Sequence, residues 1–276
     1  MKKIFVIALA ALALTCCSRH GQLTIIHLND THSHFEPLRS GADDGRGGVI
    51  ERAAFIDSMR TARGKDNVLL LHAGDFSQGT TYFSELDGDL EIEALNTLGY
   101  DVVTLGNHEF DKGLEDLGRR LAALNCPVVV CNYDFSPFEA GKYITPYTIL
   151  KRGGLKVGVI GVLCNLKSVV SAATADRVPE FDTVPTVQKW ADFLKDEEHC
   201  DLVIALTHIG FELSHDDPMI DPVLCSQTRN IDLFVGGHSH TFMDEPAMIE
   251  NIDGKPIPVV QDGCWGLWTG VMEVKY

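Results

Sequence analysis

The strongest constraint on the fold of this chain is the alternation of short aliphatic runs with segments of helical periodicity. Such runs predict buried strands. We place them at Leu23 to Leu28, Val68 to His72, Val102 to Leu105, Val128 to Cys131, Lys156 to Leu163, Leu202 to Leu206, Leu233 to Val235 and Pro258 to Gln261. Apolar stripes between them predict three helices, marked by Ile50, Ala53, Ile56 and Met59, by Leu114, Leu117, Leu121 and Leu124, and by Val187, Trp190 and Leu194. This alternation predicts an α/β domain. Near the C-terminus, Asp253-Gly254 lies between two apolar stretches and predicts a hairpin, which would make the sheet mixed.

The size and charge of the chain narrow its class further. With 276 residues, 45% of them hydrophobic, and no Pro/Gly/Ser-rich linker, it is long enough for one large domain with a substantial core. We therefore predict a single domain over residues 22–276. The formal net charge of −16 argues against a protein that binds nucleic acid or anionic lipid through a basic face.

The N-terminus, MKKIFVIALAALALTCCSRH, has the pattern of an export signal. Lys2 and Lys3 precede an apolar run from Ile4 to Leu14, which is shorter than the roughly 20 residues that a transmembrane helix needs. The segment that follows resembles a bacterial lipobox. We predict a signal peptide over residues 1–17 and a lipoprotein anchored at Cys17, in the periplasm or at the cell surface; lipidation at Cys16 and secretion without lipid are the alternatives.

The six remaining cysteines show no Cys-x-x-Cys spacing, so a thiolate zinc site is not expected. Export would permit disulfides, but their pairing cannot be deduced from the sequence. Cys126 and Cys131 are an odd number of residues apart on a predicted strand, so their side chains should face opposite sides and not bridge each other.

Polar residues follow the predicted strands where each one ends. They are Asp30 and His32, Asp75, Asn107 and His108, His208, and His238 and His240. In an α/β sheet the carboxyl ends of the strands are where ligands bind, because the loops there converge above a rigid sheet. We therefore expect these side chains to lie close together.

Their chemistry is that of a metal centre. Carboxylate, amide and imidazole donors without thiolates suit Zn²⁺, Mn²⁺ or Fe²⁺. The set is too large for one catalytic ion, which usually keeps three protein ligands and an open position. The sequence therefore predicts two divalent metal ions that share a bridging carboxylate.

Five stretches occur in a fixed order: HLNDTHSHFEP, LLHAGDFSQG, LGNHEFDKG, ALTHIG and VGGHSHT. Together they resemble the calcineurin-like metallophosphoesterase superfamily, and specifically the catalytic domain of the 5′-nucleotidase and UDP-sugar hydrolase family. The likeness covers nearly everything after residue 22. It implies an α/β metallophosphoesterase sandwich, in which mixed β-sheets are flanked by helices.

The resemblance also implies roles for single residues. One metal ion would be held by Asp30, His32, Asp75 and His240, and the other by Asp75, Asn107, His208 and His238. Asp75 is then the bridge, and His108, oriented by Asp111, meets the substrate phosphate and the leaving oxygen. The implied reaction is hydrolysis of a phosphoester, with release of phosphate from nucleotides by a water that the metal ions activate. Two divalent cations would also leave the site positive, so that an acidic protein can bind an anionic phosphate.

The remaining histidines and two tryptophans are expected to have structural rather than catalytic roles. We expect packing or surface roles for His20, His27, His72, His199 and His215. His34 follows a predicted ligand by two residues and is assigned at most a supporting role. Trp265 and Trp268 can belong to the core or to the wall of the site, and the core is the default for large aromatic residues.

Three hypotheses about function follow. The resembled enzymes carry a C-terminal specificity domain, so the chain can be half of a split 5′-nucleotidase whose partner polypeptide supplies that domain. It can also be a self-sufficient phosphatase or cyclic-nucleotide phosphodiesterase of broader range. The third hypothesis is a catalytically silent, metal-binding lipoprotein subunit. Our expectation is a 5′-nucleotidase-like hydrolase with a small phosphorylated substrate, a nucleotide. A separate specificity-domain polypeptide is one alternative for its partner; no nucleic acid partner is expected, and contact with the membrane is through the lipid anchor only.

Overall fold

The computed structural model describes residues 22–212 and 218–275. The predicted signal peptide with Cys16 and Cys17, as well as His20 and His215, lies outside the described residues. The strands are β1 (Gln22–Leu28), β2 (Val68–Ala73), β3 (Val102–Thr104), β4 (Val128–Val129), β5 (Ile144–Thr145), β6 (Tyr147–Arg152), β7 (Leu155–Leu163), β8 (Leu202–His208), β9 (Leu233–Val235), β10 (Ala247–Glu250), β11 (Pro256–Val260) and β12 (Gly270–Lys275). The α-helices are α1 (Val49–Arg63), α2 (Thr81–Leu86), α3 (Asp89–Leu98), α4 (Gly113–Leu121), α5 (Leu166–Val169), α6 (Ala172–Ala175), α7 (Thr183–Asp192) and α8 (Asp221–Gln227).

The strands form two six-stranded sheets. The first has the order β12-β1-β2-β3-β4-β5 and the second the order β10-β11-β9-β8-β7-β6. In the first sheet β1 to β5 are parallel and β12 pairs antiparallel with β1. In the second, β11, β9, β8 and β7 are parallel, and β10 and β6 are antiparallel edge strands. The prediction of mixed sheets flanked by helices is confirmed, as is the hairpin around Asp253-Gly254, which joins β10 to β11.

The core has an inner layer between the sheets and outer layers beneath the helices. Ile25 and Leu71 of the first sheet belong to one cluster with Ile204 of the second. Because successive residues of a strand face opposite sides, Ile26 points the other way, where Ile56 of α1 belongs to the same cluster. Burial of each such side chain contributes roughly 1.5–3 kcal/mol, which explains why the central strands are continuous aliphatic runs.

The predicted helices are present, with differences in which residues they bury. In α1, Ile56 is buried and Val49 packs against the core, but Ile50 lies on the solvent face of the helix and is 73% exposed. The predicted strand from Val128 to Cys131 is wrong in its length, since only Val128 and Val129 pair with their neighbours. Helices α2, α3, α5, α6 and α8 and the edge strands β5, β6 and β12 were not predicted.

The six cysteines within the described part of the chain are all free thiols, so the prediction that Cys126 and Cys131 do not bridge each other is confirmed. Over residues 22–212 and 218–275, none of the helices has both the length and the apolar character needed to cross a bilayer.

Candidate metal centre

The seven predicted metal ligands come from the carboxyl ends of five parallel strands, three in the first sheet and two in the second. They are Asp30 and His32 after β1, Asp75 after β2, Asn107 after β3, His208 at the end of β8, and His238 and His240 after β9. The two sheets therefore contribute to the site together. Each loop leaves a strand that is fixed by ladder hydrogen bonds on both sides, so the loop positions are set by the sheet.

Potential ligand atoms form three overlapping groups, and within each group all atoms lie within 4.8 Å of one another. The groups are Asp30, His32 and His240; His32, Asp75 and His108; and Asp75, His208 and His238. Since His32 and Asp75 each belong to two groups, the three groups form one continuous centre. Asn107, which is buried, lines the same cavity. The structure thus brings all seven predicted residues together.

The two carboxylates are oriented in the same way. One oxygen of Asp75, Oδ1, accepts a hydrogen bond from the backbone N–H of His108 at 2.9 Å. One oxygen of Asp30, Oδ2, accepts from the backbone N–H of His238 at 2.9 Å and from the amide of Asn29 at 2.6 Å. The other oxygen of each carboxylate faces imidazole nitrogens: Asp75 Oδ2 is 3.1 Å from His208 Nε2, and Asp30 Oδ1 is 3.2 Å from His240 Nε2.

The imidazoles are fixed through their other ring nitrogens. Nδ1 of His208 lies 2.7 Å from the carbonyl oxygen of Ala73, and Nδ1 of His32 lies 3.3 Å from that of Ser77. A carbonyl oxygen only accepts, so Nδ1 carries a proton, and Nε2 is the nitrogen that can offer its lone pair to a cation. Both Nε2 atoms point into the centre, which is the arrangement that orients a histidine as a metal ligand.

The buried carboxylates of the centre favour positive charge beside them. Asp30 Oδ1 and His208 Nε2 are buried without an aligned hydrogen bond, a costly state for polar atoms. Burial disfavours the charged form of His208, but the charges of Asp75 and Asp30 outweigh it and raise the pKa of this histidine to about 10. Burial alone would raise the pKa of Asp75, yet His208 and the neighbouring imidazoles hold it well below its usual range. The carboxylates thus hold a proton on His208 in the metal-free centre, and a divalent cation would replace that proton. Carboxylates and imidazoles are the donor set of such a cation, so the residues fit the predicted metal ions.

Five of the seven residues have a backbone conformation that L-residues rarely adopt. Their φ angles lie between 46° and 82°, and they are Asp30, His32, Asp75, His238 and His240. A non-glycine residue in this region costs of order 1 kcal/mol or more, and such residues persist only where the surroundings impose them. Their concentration in one centre indicates that the fold maintains the convergence against local preference.

Two supporting residues hold this geometry, and neither was predicted from the sequence. The buried carboxylate of Glu109 accepts hydrogen bonds from the backbone N–H groups of Asp75 at 2.9 Å, of Ser77 at 3.0 Å and of Gly106 at 2.6 Å. Gln261 accepts from the backbone N–H of Thr241 and donates to the carbonyl oxygen of Gly237 at 2.9 Å. The signal for Glu109 is its place inside LGNHEFDKG, and for Gln261 it is a polar side chain at a strand end.

Gly106 shows how closely the loops approach. A Cβ atom at this position would lie 2.6 Å from the backbone nitrogen of Asp75 and would collide with its carboxylate. Only glycine therefore fits between the β2 and β3 loops.

His108 stands at the edge of the centre beside its predicted partner. Nδ1 of His108 is 2.9 Å from Oδ2 of Asp111, and both side chains are about one-third exposed. Burial lowers the pKa of His108, but the hydrogen bond to Asp111 and the charge of Asp75 outweigh it, so the pKa is raised. With Nδ1 bound to Asp111, Nε2 remains as the atom that can exchange a proton with a bound molecule.

The centre opens into a cavity of about 480 Å³, within the size range of small-molecule sites. His32, Asn107, His108 and His240 line it, together with His34. Trp265 also lines this cavity and is 38% exposed, so its default assignment to the core is wrong. Its backbone φ of 61° lies in the left-handed region.

The remaining histidines within the described residues agree with their structural interpretations. His27 and His72 are buried, the first with its Nδ1 2.7 Å from Asp262 and the second 3.1 Å from the hydroxyl of Thr31. His199 is exposed. His34 lines the cavity, and its Nδ1 lies 2.8 Å from the carbonyl oxygen of His32.

A two-sheet sandwich with Asp, Asn and His residues converging at strand ends defines a metallophosphoesterase. The calcineurin-like phosphoesterase family model matches residues 23–242, and the chain belongs to this family.

Several 5′-nucleotidases are similar to this chain over nearly its whole length. The 5′-nucleotidase of Bos taurus is 33% identical over 296 residues, covering 98% of this chain and 49% of the relative. The snake venom 5′-nucleotidase of Gloydius brevicauda is 34% identical over 289 residues, covering 96% and 47%. The crystal structure of a 5′-nucleotidase precursor from Thermus thermophilus has a TM-score of 0.81 and 32% identity, covering 92% of this chain and 51% of that one. The chain thus spans about half the length of these relatives.

Proposed function

We propose that this chain is a dinuclear-metal phosphoester hydrolase of the 5′-nucleotidase type. The observation that carries the proposal is the convergence of carboxylate and imidazole ligand atoms into three overlapping groups within 4.8 Å, with His108 in one of them. Membership of the phosphoesterase family and the likeness to 5′-nucleotidases support the same reaction class.

The ligand roles are part of this proposal. Asp30, His32, Asp75 and His240 would hold one ion, and Asp75, Asn107, His208 and His238 the other. Asp75 fits the role of the bridge because it belongs both to the group that contains His32 and to the group that contains His208. When bound, two divalent ions, Zn²⁺, Mn²⁺ or Fe²⁺, would supply positive charge for the phosphate and lower the pKa of a water molecule toward neutrality.

His108 and Asp111 act on the reacting phosphate in this proposal. Protonated His108 would neutralise charge that develops on the phosphate oxygens and give its Nε2 proton to the leaving oxygen. Asp111, 2.9 Å from Nδ1, keeps the ring oriented and favours its protonated form. Because Asp75 Oδ1 accepts the His108 backbone N–H, the catalytic ring is also tied to the proposed bridge.

The experiment is a hydrolysis panel on the purified, metal-loaded chain. Substrates are nucleoside 5′-monophosphates, UDP-glucose, cyclic nucleotides and a generic aryl phosphate, with Mn²⁺ or Zn²⁺ added after chelation. We expect phosphate release from nucleoside monophosphates, abolished by chelator and reduced in His108→Ala. Metal binding without phosphate release from any substrate would contradict the proposal and favour a catalytically silent metal-binding protein.

We also propose export and anchoring at Cys17, supported by the lysine pair, the short apolar run and the following cysteines in residues 1–17. Labelling of cells with a radioactive or clickable fatty acid should mark the wild-type protein and not Cys17→Ser. The expected partner polypeptide with a specificity domain stays a prediction.

A further inference from the structure

The metal centre explains how a phosphate could be bound but not what is attached to it. A phosphate group is common to all phosphoesters, so preference among them must come from the cavity wall. Most side chains that line this cavity are the polar and imidazole groups of the centre itself. Among the described lining residues, Trp265 has the one large apolar side chain.

Trp265 is held firmly although 38% of its surface is exposed. Its backbone N–H donates to the carbonyl oxygen of Asp30 at 2.7 Å, which ties it to a proposed ligand. Its indole stacks on the imidazole of His34, with ring centroids 5.1 Å apart and an interplanar angle of 23°. The rotamer is therefore set by contact with a second ring that also lines the cavity.

Arg52 contacts the backbone on both sides of this stacked pair, at His34 and at Gly266. The guanidinium is buried, and its Nη2 donates to the carbonyl oxygen of His34 at 3.0 Å. Directly after Trp265, Gly266 has a φ of 63°, and a Cβ there would collide with Arg52. One buried side chain thus contacts both segments that carry the two rings.

We propose that Trp265, supported by His34, is the specificity-determining residue on which the planar ring of a phosphoester's leaving group stacks. This inference rests on the proposed hydrolytic function and specifies its substrate class: phosphoesters whose leaving group carries a planar aromatic ring, such as nucleoside and aryl phosphates, rather than those without one. An indole that is rigid before binding loses little side-chain entropy when a ring stacks on it. Water at an exposed indole surface is poorly held, and a flat aromatic group replaces it with favourable contact.

The test compares two substrates that share the phosphate and differ in the leaving group, adenosine 5′-monophosphate and glycerol 2-phosphate. In Trp265→Ala we expect the KM for adenosine monophosphate to rise about fivefold to tenfold, the scale of one aromatic stacking contact, with kcat little changed. The KM for glycerol 2-phosphate should not change. Trp265→Phe, which keeps a flat ring, should restore most of the wild-type KM.

The matched control is Trp268→Ala in the same loop. Trp268 packs edge-on against Phe242, at a centroid distance of 5.1 Å, and lines a different cavity with His27 and Asp262. We expect wild-type KM values for both substrates. The same selective loss in Trp268→Ala would overturn the proposal, because it would show an effect of the whole loop.

A second measurement does not depend on turnover. Adenosine, which has no phosphate, should bind the metal-free chain weakly in a ligand-observed NMR titration, and this binding should be lost in Trp265→Ala. Equal KM changes for both substrates, or unchanged adenosine binding in the variant, would refute the role of Trp265. If the wild type hydrolyses no phosphoester at all, the proposed function fails, and the adenosine titration still decides whether Trp265 binds a ring.

Discussion

Asp75→Asn tests the metal centre most directly. The substitution keeps the shape of the side chain and an oxygen that can accept the backbone N–H of His108. It removes the negative charge that lies 3.1 Å from His208 Nε2 and 3.9 Å from His32 Nε2. Because Asp75 reaches both sides of the centre, we expect the loss to affect both proposed ions.

The distances set the magnitude. Two unit charges 3.1 Å apart at an effective dielectric constant of about 20 attract each other by about 5 kcal/mol, or more than about a thousandfold in an equilibrium constant. The figure is the Coulomb attraction alone, which the dehydration of a cation opposes, so it sets the order of magnitude of the loss for each unit of positive charge. Asp75→Asn should therefore lose both ions and all measurable phosphate release.

Metal content after desalting at a fixed free Mn²⁺ concentration, measured by mass spectrometry, provides the assay. We expect two ions for the wild type, none for Asp75→Asn, and one for Asp30→Asn, in which the site of Asn107, His208 and His238 keeps its bridge. Circular dichroism of the metal-free proteins checks that all three are folded. Two retained ions and an unchanged rate in Asp75→Asn would refute the reasoning about the bridge.

The other predictions concern the catalytic pair, the loop geometry and stability. His108→Ala should keep both ions but lower kcat by about 10²–10⁴-fold, the usual contribution of general acid catalysis. Asp111→Asn should lower kcat less, also with unchanged metal content. Loss of the ions in either variant would assign that residue to metal binding. Gly106→Ala should displace Asp75, seen as lost metal binding and a lower melting temperature, and wild-type metal affinity would show that the loops can move apart. Burial raises the pKa of Asp221 to about 7 from a usual value near 4, so the folded state holds a proton that the unfolded state releases. The contribution of Asp221 to the free energy of unfolding should therefore be greatest below about pH 4 and fall by up to about 4 kcal/mol as the pH rises to about 7. The difference in unfolding free energy between the wild type and Asp221→Asn should follow this curve in melts across that range, and a difference that does not change with pH would exclude Asp221 as its source.

Much of the fold is readable from the sequence because its central strands are buried on both faces. Val68–Ala73 and Leu202–His208 must be almost entirely apolar for that reason, and continuous aliphatic runs are easy to recognise. The edge strand Gly270–Lys275 alternates between half-buried and exposed residues and has no comparable run. Helix α3, Asp89–Leu98, was missed because its apolar residues form only a short stripe among acidic ones. The division into two sheets depends on tertiary pairing and was implied only by the resemblance.

The site is readable for a different reason. Ligand atoms must be Asp, Asn or His at strand ends, so their residue types identify them as candidates. Glu109 and Gln261 act through backbone groups, and nothing in their residue type distinguishes them from any other polar residue. The position of Trp265 depends on its contacts with Asp30 and His34, which are more than 200 residues away in the sequence, and composition and periodicity do not report such contacts.

The position of the centre across the two sheets has a mechanical consequence. Asp30, His32, Asp75 and Asn107 extend from one layer of the sandwich, and His208, His238 and His240 from the other. Cations coordinated from both sides would add a further link between layers that apolar packing and hydrogen bonds, such as that between His208 and Ala73, already join. Separation of the two sheets would then require coordination bonds to break, so the resistance of the sandwich to separation would depend on metal binding.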